Sequence, residues 1–309
     1  MAETADQPPA ARPGRRAVAM GYARLLRLSN APTAVADVWM GHAVATGYLE
    51  PSWFVVLTSC ATLCLYSGGM AMNDVVDAAR DAAEDRGRPI AQGLVSRCSA
   101  KRLATWLLAG GVGLAALAHP LAGVVAAVLV AAIAAYNSPL KRTPLGPLLM
   151  GLCRALNGVM GMAVELNRGA VLSVAPGVLV YTCGFTLFAR DESLGGRRTQ
   201  LAAGWLVSLA GLVWLTLAPY FLDGPTPVVT WLGGWLLWGV TTLMALRGMT
   251  AGLIRPTPKL IGRGVGIAIR GLLLIDVALA TTYAGPSVGL AVLCLLPIAS
   301  VLALRVPST

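Results

Sequence analysis

Long apolar stretches, separated by short polar and basic segments, make up most of the chain after residue 30. A membrane-spanning helix needs about 20 mainly apolar residues, and stretches of roughly this length predict ten candidate spans. They cover residues 31–48, 52–73, 103–118, 120–137, 145–165, 171–189, 201–222, 228–247, 266–284 and 287–305. His119 and Pro120 divide the 103–137 region into a tight helical hairpin. The predicted fold class is an all-α polytopic membrane protein, a bundle of nine or ten transmembrane helices.

Composition supports a membrane protein. The 309 residues are 56% hydrophobic and 12% charged, whereas soluble domains carry roughly 25% charged residues. Residues 1–26 are rich in Pro, Ala and Arg, and they predict a disordered basic cytoplasmic arm. Residues 27–309 then form a single transmembrane domain, because no linker or fixed-period repeat divides them.

Basic residues give the expected orientation, because Lys and Arg accumulate in cytoplasmic loops. If the spans are right, Arg168 alone among the 24 basic residues falls on the opposite side. The N-terminus is therefore expected to be cytoplasmic, in a protein of a bacterial inner membrane. The net charge of +10 reflects this loop bias and would attract anionic membrane lipid, so no nucleic-acid partner is expected.

An acidic cluster lies where the second span meets a basic loop. Asn73, Asp77 and Asp81 recur every four residues, and Asp74 precedes Asp77 by three, so all four share one helix face. Carboxylates placed in this way repel one another unless a cation lies among them. Mg²⁺ is the expected cofactor, because it binds through a few carboxylates and takes its remaining ligands from substrate phosphates. A solvated acidic loop is the alternative.

Four of the polar residues inside the predicted spans are candidates for function, because ionisable groups there usually face the protein interior or a wet cavity. Arg154 and Asn157 lie three residues apart on one face of span 5, which favours substrate contact over a structural role. Asp37 and Asp276 lie deeper. For these two, a hydrogen bond to a neighbouring helix and catalysis are equally good interpretations; Asp276 is a candidate to pair with an Arg such as Arg270, or to accept a proton from substrate.

The acidic cluster and its surroundings resemble the UbiA superfamily of intramembrane prenyltransferases. The sequence NDVVDAARD, followed by DRGRPIAQGLVS, is similar to the first signature of that family, NDxxDxxxD with a downstream RPIxxG. RLSNAPTAVADVWMG at 27–41 is similar to the opening segment of the family, and YNSPLKR at 136–142 is similar to its loop after the fourth helix. The resemblance covers roughly residues 24–285.

The resemblance implies a helical bundle around a central cavity that opens to the cytoplasmic side. There, Mg²⁺ and a polyprenyl diphosphate (farnesyl, geranylgeranyl or longer) would bind, and a lipophilic or aromatic acceptor would take the prenyl group. Three sets of residues follow. The expected metal ligands are Asn73, Asp74, Asp77, Asp81, Asp191 and Glu192. The expected substrate-binding residues are Asn30, Arg88, Lys141, Tyr136, Arg154, Asn157 and Arg190, and the expected catalytic residues are Asp77, Lys141, Tyr136 and Arg154.

The second aspartate-rich motif of the family, usually DxxxD, is absent near residue 190, where the chain reads FTLFARDESLGGRR. Only the adjacent pair Asp191 and Glu192 remains, and adjacent residues point about 100° apart on a helix. This segment resembles a branch of the superfamily found in ebo-type gene clusters. An intramembrane terpene cyclase and a non-catalytic isoprenoid or lipid binder or transporter are the alternatives to prenyl transfer. Chain length, acceptor and oligomeric state do not follow from the sequence.

Overall fold

A computed structural model describes residues 14–84, 87–190, 197–222 and 232–306. Within these ranges the secondary structure is helical throughout. The α-helices are α1 (Arg15–Leu25), α2 (Ala31–Thr46), α3 (Trp53–Ala83), α4 (Arg97–Ala118), α5 (Pro120–Tyr136), α6 (Leu145–Gly161), α7 (Arg168–Phe188), α8 (Arg198–Phe221), α9 (Leu232–Ile254), α10 (Pro258–Ala284), α11 (Pro286–Leu293) and α12 (Leu295–Arg305). Short 3₁₀ turns occur at Pro139–Arg142 and Ala163–Glu165. The predicted all-α class is confirmed.

Several helices are long and apolar enough to cross a membrane. In the described part of the chain, six segments meet this requirement by length and composition: Trp53–Ala83, Arg168–Phe188, Arg198–Phe221, Gly233–Ile254, Pro258–Ala284 and Pro286–Arg305. The last of these joins α11 and α12, which are separated by a turn at Cys294. A polytopic helical membrane protein is confirmed, while the number of nine or ten spans stays a prediction.

Polar side chains cap the N-terminal ends of several helices. The Ser52 side chain accepts a hydrogen bond from Val55 N at the start of α3, and Ser96 accepts one from Ser99 N at the start of α4. His119 caps α5, whose first residue is Pro120. Such caps satisfy backbone N–H groups that have no partner within the helix. The break predicted at His119 and Pro120 therefore has a local cause.

Part of the predicted disordered arm is instead helical. Helix α1 occupies Arg15–Leu25, and both Gly21 and Leu25 are buried. Leu25 joins an apolar cluster with Ala71 and Val75 of α3 and with Val95. The disorder prediction is wrong for these residues, because α1 buries one face although its composition is basic; residues 1–13 lie outside the described ranges.

Helices α2 and α6 approach closely enough for their backbones to touch. A Cβ atom at Gly41 would collide with the carbonyl oxygen of Gly158, and one at Gly161 would collide with that of Val38. Small residues permit such contacts between membrane helices. This packing brings the polar residues of the two helices, Asp37 on α2 and Arg154 on α6, within bonding distance of each other.

Six helices surround a cavity of about 340 Å³. Its lining comes from α2, α3, α5, α6, α7 and α10, and from the turn between α1 and α2 that contains Arg27 and Asn30. Helices α4, α8 and α9 pack outside this ring, mainly against α3, α7 and α10 respectively. The lining is mostly apolar, and its polar groups are therefore the first candidates for ligand binding.

Candidate active site

The acidic cluster lies on the last three turns of α3, beside the cavity. Asp74 is 1% exposed, Asp77 6% and Asp81 3%, so all three carboxylates are buried. Asn73 lines the cavity. Buried carboxylates must be paired or must coordinate a cation, which excludes the alternative of a solvated acidic loop.

Asp74 is flanked by two guanidinium groups from different segments. Its Oδ1 lies 3.8 Å from Arg27 NH2 and 3.7 Å from Arg88 NH1. Neither carboxylate oxygen has a hydrogen-bond partner among the described residues. The Asp74 carboxylate therefore lies beside two cations, while both of its oxygens could still accept hydrogen bonds or bind a metal ion.

Asp77 contacts Lys141, which the 3₁₀ turn Pro139–Arg142 places beside α3. The Lys141 ammonium donates hydrogen bonds to Asp77 Oδ2 and, over 2.6 Å, to Asn73 Oδ1. Arg80 NH2 lies 3.3 Å from the same Asp77 oxygen. Burial lowers the pKa of Lys141, and the hydrogen bond and negative charge of Asp77 oppose that shift. The result is a compact array of alternating charges.

Tyr136 and Asn30 both line the cavity next to this array. Lys141 Nζ lies 5.4 Å from the centre of the Tyr136 ring, within the range of a cation–π contact. Asn30 precedes α2 in the turn that also carries Arg27. Both residues thus lie where the sequence predicts substrate contact; their binding roles stay predictions.

Arg27 is a site residue that was not among the predicted set. It lines the cavity, pairs with Asp74 and has a backbone φ of 47°, in the left-handed region that residues other than Gly seldom adopt. This conformation occurs where α1 ends and the chain turns towards α2. In the sequence, Arg27 is marked only by its position just before the apolar stretch of α2. The neighbouring arginines of the arm lie in a similar basic segment, so this position alone does not single it out.

The cluster has the ligand chemistry that Mg²⁺ requires. Asp74, Asp77 and the Asn73 amide supply hard oxygen donors, and the Asp74 oxygens have no hydrogen-bond partner in the described ranges. Over those same ranges, no group of three or more His, Cys, Asp or Glu side chains is arranged to hold a metal by itself. Mg²⁺ usually binds through one or two carboxylates together with substrate phosphates and water.

The other predicted residues at this end divide into two groups. Arg88 reaches Asp74, as described above, whereas Arg190 is exposed and donates a hydrogen bond to the Arg142 carbonyl oxygen. Arg190 is thus brought near the cavity mouth, where its side chain contacts the backbone. Asp191 and Glu192 lie outside the described residues.

The polar residues predicted inside the spans form a second cluster, of which Arg154 and Asn157 line the cavity. Arg154 Nε lies 2.9 Å from Asp37 Oδ2, and Asn157 Nδ2 donates to the same oxygen over 2.8 Å. The Asp276 carboxyl group lies beside that of Asp37. We call Asp37, Arg154, Asn157 and Asp276 the inner cluster. Pairing of Asp276 with Arg270 is wrong, because its charged neighbours in the described chain are Asp37 and Arg154.

Comparison with known proteins places this geometry in a family. Residues 34–191, about half of the chain, match the UbiA prenyltransferase family. The chain belongs to the UbiA prenyltransferase family. The match includes the acidic end of α3, Tyr136, Lys141 and the inner-cluster residues of α2 and α6.

Curated relatives of this UbiA chain include the digeranylgeranylglyceryl phosphate synthases of three archaea. The Methanoculleus marisnigri enzyme is 32% identical over 50% of this chain and 58% of its own length, and the Methanopyrus kandleri enzyme is 34% identical over 40% and 45%. The aligned region thus spans about half the length of these two relatives. The Metallosphaera sedula enzyme is 30% identical over 77% of this chain and 86% of its own length.

Solved structures of UbiA proteins share the fold. One is a digeranylgeranylglyceryl phosphate synthase, with a TM-score of 0.65 and 16% identity over 86% of this chain and 99% of that one. Another is a UbiA homologue from Archaeoglobus fulgidus bound to DMAPP and Mg²⁺, with a TM-score of 0.61 and 14% identity over 88% and 99%. At these identities the likeness establishes the fold.

Proposed function

We propose that this UbiA protein transfers a prenyl group from a polyprenyl diphosphate to a lipophilic acceptor within the membrane. The observation that carries the proposal is the buried array of Asp74, Asp77, Arg27, Arg88 and Lys141 beside a mainly apolar cavity. The array suits a diphosphate, and the cavity suits a hydrocarbon chain. The Archaeoglobus homologue, which shares the fold, is bound to DMAPP and Mg²⁺, and this supports a prenyl diphosphate and Mg²⁺ as the ligands of this chain.

Asn73, Asp74, Asp77 and Asp81 would hold Mg²⁺, which would neutralise charge on the departing diphosphate. The cationic side chains would neutralise the remaining negative charge. Arg27, Arg88 and Lys141 bind phosphate oxygens, and they stabilise the negative charge that grows as the allylic C–O bond breaks. Their positions are fixed in advance by contacts with Asp74, Asp77 and Asn73, so little reorganisation accompanies ionisation.

Tyr136 and the apolar lining serve the cationic half of the substrate. The face of an aromatic ring stabilises a nearby cation, and Tyr136 lies at the boundary between the charged array and the cavity. Leu129, Ile133 and Phe185 extend the lining away from the array, where they exclude water that would quench the allylic cation. Asp191 and Glu192 are proposed to supplement the metal site.

The expected location is a bacterial inner membrane, with the N-terminus and the cavity mouth facing the cytoplasm. The distribution of basic residues supports this orientation. Lipids with a geranylgeranylglyceryl group are the first acceptors to test, because the curated relatives are named as digeranylgeranylglyceryl phosphate synthases.

Diphosphate release tests the proposed reaction. Purified protein in lipid nanodiscs, given geranylgeranyl or farnesyl diphosphate, is expected to release diphosphate only when Mg²⁺ is present. A chelator should abolish release, and renewed Mg²⁺ should restore it. Release without any acceptor, accompanied by a cyclic hydrocarbon or alcohol, would show that the protein is a cyclase and not a transferase. No release with any chain length would contradict both reactions and favour a lipid binder.

A further inference from the structure

The inner cluster holds a guanidinium group in a fixed position on the cavity wall. Arg154 Nε lies 2.9 Å from Asp37 Oδ2, and Arg154 NH2 donates a hydrogen bond to the Thr33 carbonyl oxygen over 2.7 Å. Asp37 is fully buried, while the Arg154 side chain is 12% exposed and lines the cavity. The guanidinium is therefore anchored on the protein side and reaches the cavity with its outer edge.

Asn157 has its hydrogen-bonding groups engaged within the protein. Its Nδ2 donates to Asp37 Oδ2 and to the Ala34 carbonyl oxygen, each over 2.8 Å, and its Oδ1 accepts from Thr62 Oγ1 over 2.6 Å. Although Asn157 borders the cavity, its amide is committed to holding Asp37. Its better-supported role is to position Asp37, and through Asp37 to position Arg154.

Arg154 has a free edge directed into the cavity. No described residue accepts a hydrogen bond from its NH1, and NH1 is not among the buried atoms without a partner. In the described lining, Arg154 and Arg27 are the charged residues, and no carboxylate borders the space. A polar ligand group in this part of the cavity would therefore find donors at Arg154 NH1.

The charge around Arg154 limits which polar group can bind there. Asp276 is 1% exposed and lies beside Asp37, and its Oδ2 has no hydrogen-bond partner among the described residues. Two adjacent buried carboxylates cannot both be ionised at low cost beside a single guanidinium. With one proton shared between the carboxyls, the inner cluster is neutral, and it offers N–H donors without net positive charge.

We propose that Arg154 binds the uncharged hydroxyl group of the prenyl acceptor, and that Asp37 and Asp276 set this preference by cancelling the positive charge. This inference rests on the proposed prenyl transfer and names the acceptor class, a lipophilic alcohol or phenol. An acceptor phosphate at the same position would lose its hydration without meeting a net positive charge, because the carboxyl pair cancels the charge of Arg154, so it is disfavoured. The diphosphate instead binds at the acidic end of α3, where Arg27, Arg80, Arg88 and Lys141 gather.

Binding of two matched lipids tests the inference. The probes are geranylgeranylglycerol and geranylgeranylglyceryl phosphate, which share a chain and differ by one phosphate. Equilibrium binding is measured in nanodiscs with excess Mg²⁺ and inorganic diphosphate, so that diphosphate already occupies the site formed by Arg27, Arg88 and Lys141. The wild type is expected to bind the alcohol at least tenfold more tightly than the phosphate.

Variants separate the role of each side chain. Arg154→Gln should weaken alcohol binding at least tenfold, while Arg168→Gln, at an exposed arginine at the start of α7, should leave it unchanged. The double variant Asp37→Asn with Asp276→Asn leaves Arg154 as an uncompensated cation, and should shift the preference at least tenfold towards the phosphate.

Three results would overturn the inference. They are equal or tighter binding of the phosphate by the wild type, no binding of either probe, and unchanged alcohol binding by Arg154→Gln. If Arg154→Gln fails to fold, as judged by size-exclusion chromatography, the wild-type preference and the shift in the Asp37→Asn, Asp276→Asn double variant still decide. Diphosphate release is measured on the same protein preparations before inorganic diphosphate is added. Its loss with probe binding intact would contradict only the proposed reaction.

Discussion

At the residue scale, the site depends on charges that are buried in pairs. Asp74 and Asp77 would each be costly to bury alone, and each is compensated by cations from other segments, Arg27, Arg88 and Lys141. The sequence predicts the acidic partners because their spacing is periodic along one helix. It does not predict Arg27, because its selection depends on a backbone turn that brings it to α3.

Arg27 provides a test at this scale. Arg27→Gln should raise the KM for the prenyl diphosphate about tenfold or more, since a hydrogen bond to a charged group contributes about 1.5–3 kcal/mol. Steady-state kinetics of diphosphate release would measure the change. Arg16→Gln, at an exposed arginine of α1, is the matched control. A KM that stays at the wild-type value in Arg27→Gln would remove this residue from the substrate site.

At the element scale, the apolar pattern predicts where most helices lie but not how they pack. The predicted span 52–73 ends at Asn73, whereas α3 continues to Ala83 and carries the carboxylates on a rigid helix. The inner cluster is harder to predict, because Asp37, Arg154 and Asp276 meet only through the packing of α2, α6 and α10. No spacing along the chain encodes a contact between residues 117 or more positions apart.

The close approach of α2 and α6 makes a stability prediction. Gly41→Ala should lower the free energy of unfolding by about 1–3 kcal/mol, because the added methyl group meets the Gly158 backbone and overpacks the interface. Gly110→Ala in α4, where the added Cβ has open space, should be neutral or slightly stabilising. Thermal unfolding in detergent would compare the two. Equal stability of both variants would argue against this helix contact.

At the scale of the whole molecule, one end of the bundle gathers the charged chemistry. The C-terminal end of α3, the turn after α5 and the end of α1 meet there, and the cavity extends from it between six helices. The sequence predicts this organisation well, because periodic apolar stretches, basic loops and the acidic motif all agree. It does not predict the inner cluster that we propose selects the acceptor, because that cluster depends on contacts between helices that are distant in the sequence.

The orientation of that end makes a further prediction. Cys98 is an exposed free cysteine at the start of α4, beside basic residues of the same end. A membrane-impermeant maleimide should label it in inside-out vesicles and not in right-side-out vesicles. Cys98→Ser, in which the other cysteines remain, should remove the label. Labelling only in right-side-out vesicles would reverse the proposed orientation.

The most direct test of the central claim is the rate of diphosphate release in a single turnover with geranylgeranyl diphosphate and Mg²⁺. Asp77→Asn should slow release about 100-fold or more, the usual effect of removing one preorganised electrostatic group. The control variant Glu50→Gln, which changes an exposed carboxylate between α2 and α3, should release diphosphate at the wild-type rate. Wild-type release by Asp77→Asn, or release that persists after Mg²⁺ is removed, would contradict a metal-dependent site at the end of α3.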